Sequence, residues 1–153
     1  MLDYMIMPFR RYFEYQGRSR RMEYWSFFLL NLIVSVILYG LVFGIGGGAE
    51  ALMTSDPENP TAVFGALFGG VGILLLIWTL VTFIPNIMLN IRRLHDRDMS
   101  GWWLLGLVVV SLIPIVGLIA SIAYLILMLL PGTPGPNRFG PDPKDPSSAE
   151  VFS

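Results

Sequence analysis

Residues 25–45 read WSFFLLNLIVSVILYGLVFGI, and no charged side chain occurs among them. A helix needs about 20 mostly apolar residues to cross roughly 30 Å of hydrocarbon, so this stretch is long enough to span a bilayer. Asn31, Ser35 and Tyr39 are too few to interrupt it. The pattern repeats downstream, with apolar cores at 64–89 and 102–130. All 21 charged residues avoid three intervals, 24–49, 59–91 and 99–137. Soluble helices are amphipathic and carry charge on one face, which these stretches do not.

The composition agrees. Of 153 residues 54% are hydrophobic and 14% charged, where a soluble domain has about 25% charged. A chain this short cannot hide that much apolar surface in a water-soluble core. Soluble enzyme, disordered tail and nucleic-acid binder are therefore poor readings. There is no cysteine, so neither a disulfide framework nor a thiolate zinc site exists. The expected fold is an all-α integral membrane protein with three or four transmembrane helices. Residues 1–143 form a single multi-pass domain, and 144–153 a flexible tail.

The charges outside the apolar stretches set the orientation. Residues 1–23 carry five arginines, Arg10, Arg11, Arg18, Arg20 and Arg21. The segment 46–62 carries none, but has Glu50, Asp56 and Glu58; the segment 92–98 carries Arg92, Arg93 and Arg97. Basic residues stay on the cytoplasmic side. The N-terminus and 92–98 are thus expected inside and the acidic loop outside. The five arginines precede a full-length apolar core, which reads as a retained anchor and not as a cleaved signal peptide.

The third apolar stretch has two readings. As one helix its 29 residues would run roughly 43 Å, too long for an untilted span. Pro114 and Gly117 lie near its middle. They mark either a kink, which sends the C-terminus outside, or the turn of a hairpin, which returns it to the cytoplasm.

Local signals complete the outline. Pro8 suits a first helical turn and Gly17 a C-terminal cap, which predicts a short interfacial helix between them. Ser19 and Ser100 are expected helix N-caps. Tyr24, Trp25, Trp102 and Trp103 belong at the membrane–water boundary. Gly40 with Gly44, and Gly65 with Gly69, have the spacing of close helix packing. Asn86 and Asn90 share a helix face and are expected to hydrogen-bond other helices. From Pro131 six prolines in sixteen residues forbid helix and predict an extended tail.

Chemistry-bearing residues are few. His95 is the single histidine, and metal sites need three or four ligands; no metal and no cofactor is expected. His95 with Asp96 is the only candidate acid–base pair. Arg92 lies one turn before Asp96, where an ion pair can form.

These residues fall into motifs that resemble a known family. Gly17-Arg18-Ser19-Arg20-Arg21-Met22-Glu23-Tyr24-Trp25, Arg92-Arg93-Leu94-His95-Asp96 with Ser100-Gly101-Trp102-Trp103, Ile113-Pro114-Ile115-Val116-Gly117, and the segment from Pro131 to Pro143 are similar, in the same order, to signatures of the bacterial inner-membrane family called domain of unknown function 805. The resemblance implies a small multi-pass protein of the bacterial cytoplasmic membrane and no assigned reaction. It also favours the hairpin, because the motifs then gather on one side.

The expected function is a non-enzymatic membrane protein with a cytoplasmic-face cluster of Arg18, Arg20, Arg21, Glu23, Arg92, Arg93, His95, Asp96, Arg97, Asn137 and Arg138. Its expected partners are anionic membrane lipids, a second copy or another membrane protein, for which arginine has the geometry. One alternative is a small transporter or channel subunit acting as an oligomer. Another is a membrane enzyme using His95 and Asp96.

Overall fold

The computed structural model describes residues 1–45, 49–50, 53, 61, 64–65, 70 and 72–145. Five helices have bounds within them: α1 (Leu2–Arg10), α2 (Arg21–Gly44), α3 (Gly72–Asp96), α4 (Trp102–Ser111) and α5 (Pro114–Leu129). Most of the acidic loop, with Asp56 and Glu58, and also Gly69 and the last eight residues, lie outside the described residues. Two compact units emerge, one of residues 1–27 and 85 onward, the other of 28–84.

In the second unit, α2 and α3 supply apolar helix whose large side chains stay exposed. Val36 is 62% exposed and Leu80 63%. The 24 residues of α2 run roughly 36 Å and the 25 of α3 roughly 38 Å, enough for the hydrocarbon thickness. The two threonines of α3 here are satisfied inside their own helix. Thr79 Oγ1 donates to the Leu75 carbonyl at 2.9 Å, and Thr82 Oγ1 to that of Trp78 at 2.8 Å, which removes the cost of a bare hydroxyl in an apolar medium. A Cβ on Gly40, Gly44 or Gly65 would meet nothing within 4 Å. These glycines therefore make no close helix contact among the described residues.

The first unit holds the polar residues. α3 enters it at Pro85 and ends at Asp96 in a Schellman cap. Asp98 has φ +57°, its N–H bonds the His95 carbonyl, and the Met99 N–H bonds that of Leu94, both at 3.0 Å. This six-to-one and five-to-two pattern closes the helix end, and aspartate tolerates the left-handed conformation better than most residues. The chain then turns into α4. Its N-cap is Gly101, one position beyond the expected Ser100, whose hydroxyl accepts a long 3.4 Å bond from the Trp102 N–H.

The third apolar stretch folds back on itself. Ile113 is extended at φ −93°, ψ 113°, as the residue before a proline prefers, and Pro114 opens α5 where its missing N–H costs nothing. A Cβ on Gly117 would stand 2.7 Å from the Ser111 carbonyl oxygen, so only glycine fits the turn. α4 and α5 pack on each other. Their 10 and 16 residues span roughly 15 and 24 Å. Past α5 the chain returns to its starting level, where the Thr133 N–H donates to the Asp96 carbonyl at 2.8 Å.

α1 differs from expectation. It ends at Arg10 with Pro8 buried inside it, and does not run from Pro8 to Gly17. Apolar side chains explain the shift: Phe9 stacks edge-on against Phe27 at the start of α2, with centroids 5.4 Å apart. Leu2 and Ile6 of α1, and Phe13 beyond it, remain exposed. Gly17 does adopt a positive φ of +82°, but in the loop that brings Arg18 under α2.

Candidate functional site

The buried groups of the first unit are mostly polar. Arg92 and Arg93 are 0% exposed, Asp96 2% and Glu23 3%. Burying a charge is tolerable only when it is paired and its remaining donors are bonded. Each of these side chains is paired, and the Nη groups of Arg92 and Arg93 find acceptors, mostly on segments far apart in sequence, while their buried Nε groups find none among the described residues.

Asp96 is the hub. Its Oδ1 accepts from Arg18 Nε at 3.0 Å and lies 3.0 Å from Arg18 Nη2 in the ion pair, and its Oδ2 accepts from Arg93 Nη1. Arg18 also donates to the carbonyls of Thr133 and Gly135, each at 2.6 Å. Arg93 donates to the carbonyls of Met128 and Leu130. Those carbonyls lie at the C-terminal end of α5, which leaves acceptors without intrahelical partners and carries partial negative charge. Arg21 reaches the next one, at Leu129. The Asp96 backbone carbonyl holds Thr133 through both its N–H and its hydroxyl.

A second pair lies alongside. Arg92 Nη2 donates to Glu23 Oε1 at 2.8 Å, and Arg92 Nη1 to the Glu14 carbonyl at 2.8 Å. Glu23 Oε2 accepts from the Ser19 hydroxyl at 2.6 Å. Two sequence readings change here. Arg92 pairs with Glu23 and leaves Asp96 to Arg93, because Arg92 points to the start of α2 and Arg93 to the end of α5. Ser19 uses its hydroxyl as a donor to Glu23 and not as a helix cap.

The segment after α5 is the third wall. It is no trailing extended tail: Asn137 and Gly140 exchange backbone hydrogen bonds at 3.0 Å. Asn137 Nδ2 donates to the His95 carbonyl at 2.9 Å, and the Phe139 ring stacks on His95 at 3.9 Å and 4°. His95 Nδ1 lies 3.2 Å from the Gly17 carbonyl. A Cβ on Gly132 would collide with the Asp96 carboxylate, so the loop approaches the hub as closely as a backbone can. Asp142 accepts the N–H groups of Lys144 and Gly135; in that order they hold its carboxyl below the ordinary aspartate range.

The eleven residues expected to cluster thus separate. Arg18, Glu23, Arg92, Arg93 and Asp96 form the buried centre, with His95 and Asn137 beside it. Arg20 donates to the Pro143 carbonyl, and Arg97 to that of Pro131. Arg138 lies farther out, in an exposed 3.2 Å pair with Asp98. Ser19, Thr133, Gly132 and Phe139 belong to the site and were not among the expected residues; their only sequence signal is position inside the quoted motifs. Asn90 accepts from the Tyr124 hydroxyl of α5 at 2.6 Å, which fulfils its expected role of linking helices. Among the described residues no three histidine or carboxylate groups converge as metal ligands.

A cavity of about 490 Å³ opens beside the cluster. Tyr4, Met7, Arg10, Arg20, Pro141 and Pro143 line it, together with Arg11, Glu14, Arg18 and Glu23. Arg11 and Glu14 pair across its rim at 2.7 Å. That hydrogen bond holds the Glu14 carboxyl below its ordinary range and raises the Arg11 guanidinium above its own.

Comparison with known proteins agrees with the motifs. The family described as "Protein of unknown function (DUF805)" matches residues 12–141. The inner membrane protein YhaH of Escherichia coli (strain K12) is 37% identical over 143 residues, covering 94% of this chain and 98% of that protein. The inner membrane protein YhaI of the same strain is 32% identical over 145 residues, covering 94% and 97%. No solved structure matches the chain.

Proposed function

The chain belongs to the DUF805 family of proteins of unknown function, and on that premise we propose that it is a non-enzymatic, multi-pass protein of the bacterial inner membrane whose cytoplasmic face engages anionic lipid headgroups. One observation carries the reading. The segments before α2, after α3 and after α5 meet in a single hydrogen-bonded polar layer centred on Asp96. Segments joined in this way lie on one side of a bilayer. The chain then crosses an even number of times between Ser19 and Arg92, and the α4–α5 hairpin returns it again. Four membrane-inserted helices fit this best, with α4 and α5 as short arms. The arginine surplus around the layer supports a cytoplasmic position, where anionic lipids lie opposite basic groups.

The enzyme alternative has less support. His95 Nδ1 faces the Gly17 carbonyl, and both Asp96 oxygens accept from arginines, so the two residues are not arranged as a base and its orienting partner.

Cysteines introduced one at a time at Gln16, Ser55 and Ser148 test the topology with a membrane-impermeant thiol reagent. In intact cells only position 55 should react. Reaction at 148 from outside would overturn the even number of crossings. Native mass spectrometry tests the lipid reading: the protein should retain phosphatidylglycerol in preference to phosphatidylcholine. Equal retention of the two would overturn it.

A further inference from the structure

The cavity beside the cluster has a specific charge imbalance. Its walls carry four guanidinium groups and two carboxylates. Glu14 is paired with Arg11, and Glu23 with Arg92 and Ser19. Arg18 is directed to Asp96 and to loop carbonyls. Among the described residues, what remains is Arg10, which makes no ion pair, and Arg20, whose one side-chain bond runs from Nε to the Pro143 carbonyl. The two Nη groups of Arg20 and the whole Arg10 guanidinium are therefore available to one cavity. Tyr4 lines the same cavity.

The helix that lines this cavity also carries exposed apolar side chains. α1 presents Leu2 and Ile6 as exposed apolar side chains, and Phe13 follows it. A short helix with such a face lies in the headgroup region. Its last residue, Arg10, then stands at the depth of lipid phosphates. The volume falls within the range of about 300–1,000 Å³ usual for ligand pockets. Guanidinium forks match phosphate oxygens two at a time, which gives direction as well as attraction.

We propose that this cavity is a binding pocket for one phosphate-bearing anionic group, held between Arg10 and Arg20 with Tyr4 as a third donor. The proposal rests on the lipid reading above and deepens it. The buried arginines keep the pocket's shape, and the Arg10 guanidinium with the Nη groups of Arg20 recognises the ligand. A phospholipid headgroup and free phosphate share the required chemistry.

The test uses the full chain in neutral detergent with phosphatidylglycerol as the probe, read by native mass spectrometry. Arg10→Gln and Arg20→Gln should each lower lipid retention about tenfold, the loss of a charged hydrogen-bonded contact. Arg138→Gln removes the same charge from an exposed position outside the cavity and should change retention less than about twofold. Melting temperatures show that the variants are folded; Arg10, having no internal ion pair, should leave melting unchanged. Equal losses in all three variants would overturn the pocket while leaving diffuse lipid attraction standing. Failure of the unaltered protein to prefer phosphatidylglycerol would overturn the lipid reading itself. A second arm adds inorganic phosphate. Displacement of the lipid by phosphate, dependent on Arg10 and Arg20, would support a pocket for phosphate from either source. Lipid retention that resists phosphate yet still depends on both arginines would support a headgroup held with its acyl chains.

Discussion

Arg92 and Arg93 are wholly buried, each joined to a carboxylate and to backbone carbonyls, whereas Arg10 on the same unit is exposed and bonds to nothing described. The guanidinium is the same in both places; the distribution of acceptors differs. Around Asp96, carbonyls from the end of α5 and the following loop converge with two carboxylates, and the arginines there become a clamp. Around the cavity the carboxylates already have partners, and the Arg10 guanidinium and the Nη groups of Arg20 have none among the described residues. Counting basic residues along the chain would treat these two regions alike.

The sharpest way to break the distinction is to neutralise the hub. Asp96→Asn leaves Arg18 and Arg93 buried without their counter-charge. Breaking a buried pair costs about 3–5 kcal/mol, so the melting temperature in detergent should fall steeply. An unchanged value would mean that the clamp does not hold the fold. A smaller loss is expected from Gly132→Ala, which forces a methyl group against the Asp96 carboxylate. Overpacking of this kind costs about 1–3 kcal/mol, and the same melting assay checks it; full stability would show that the loop approach is not tight.

Two tests belong to the periphery. Arg138→Gln breaks the exposed pair with Asp98, a bond to the Asp98 carbonyl and the contact of the guanidinium over the Phe139 ring; exposed contacts of this kind should cost about 1 kcal/mol, with no more than a slight change in melting. A loss as large as that of Asp96→Asn would move Arg138 into the clamp. Acidification addresses the loop after α5. The Asp142 carboxyl is depressed in the folded state by the N–H groups of Lys144 and Gly135, so its contribution is full above the unfolded pKa and lost as pH falls through the lower folded value. The amide signals of Gly135 and Lys144 should hold their folded positions down to about pH 4 and shift below it. A shift near neutral pH would mean that another group controls the loop.

Much of this was legible in the sequence. The charge-free stretches set the apolar helices, and the arginine-rich motifs named most residues of the polar layer. Pro114 and Gly117 identified the place where the third stretch breaks. The choice of partners was not legible. Arg92 and Arg93 are neighbours in sequence, yet one pairs with Glu23, 69 residues away, and the other with Asp96, three away. Helical spacing alone had pointed to Arg92 with Asp96. Likewise Pro8 and Gly17 carry ordinary helix-boundary signals, but the packing of Phe9 on Phe27 moved the helix to Leu2–Arg10. The prolines after 131 correctly excluded a helix; they could not reveal that the loop folds onto His95 and Asp96.

What the sequence determined by itself is the solvent each segment prefers, because transfer between water and hydrocarbon is a sum over residues and needs no partner. What only the tertiary structure decided is which charges neutralise one another and which stay open. A buried ion pair exists only where two side chains and their carbonyl acceptors arrive at the same point in the same orientation. In this protein that point is set by the start of α2, the end of α3 and the end of α5 together.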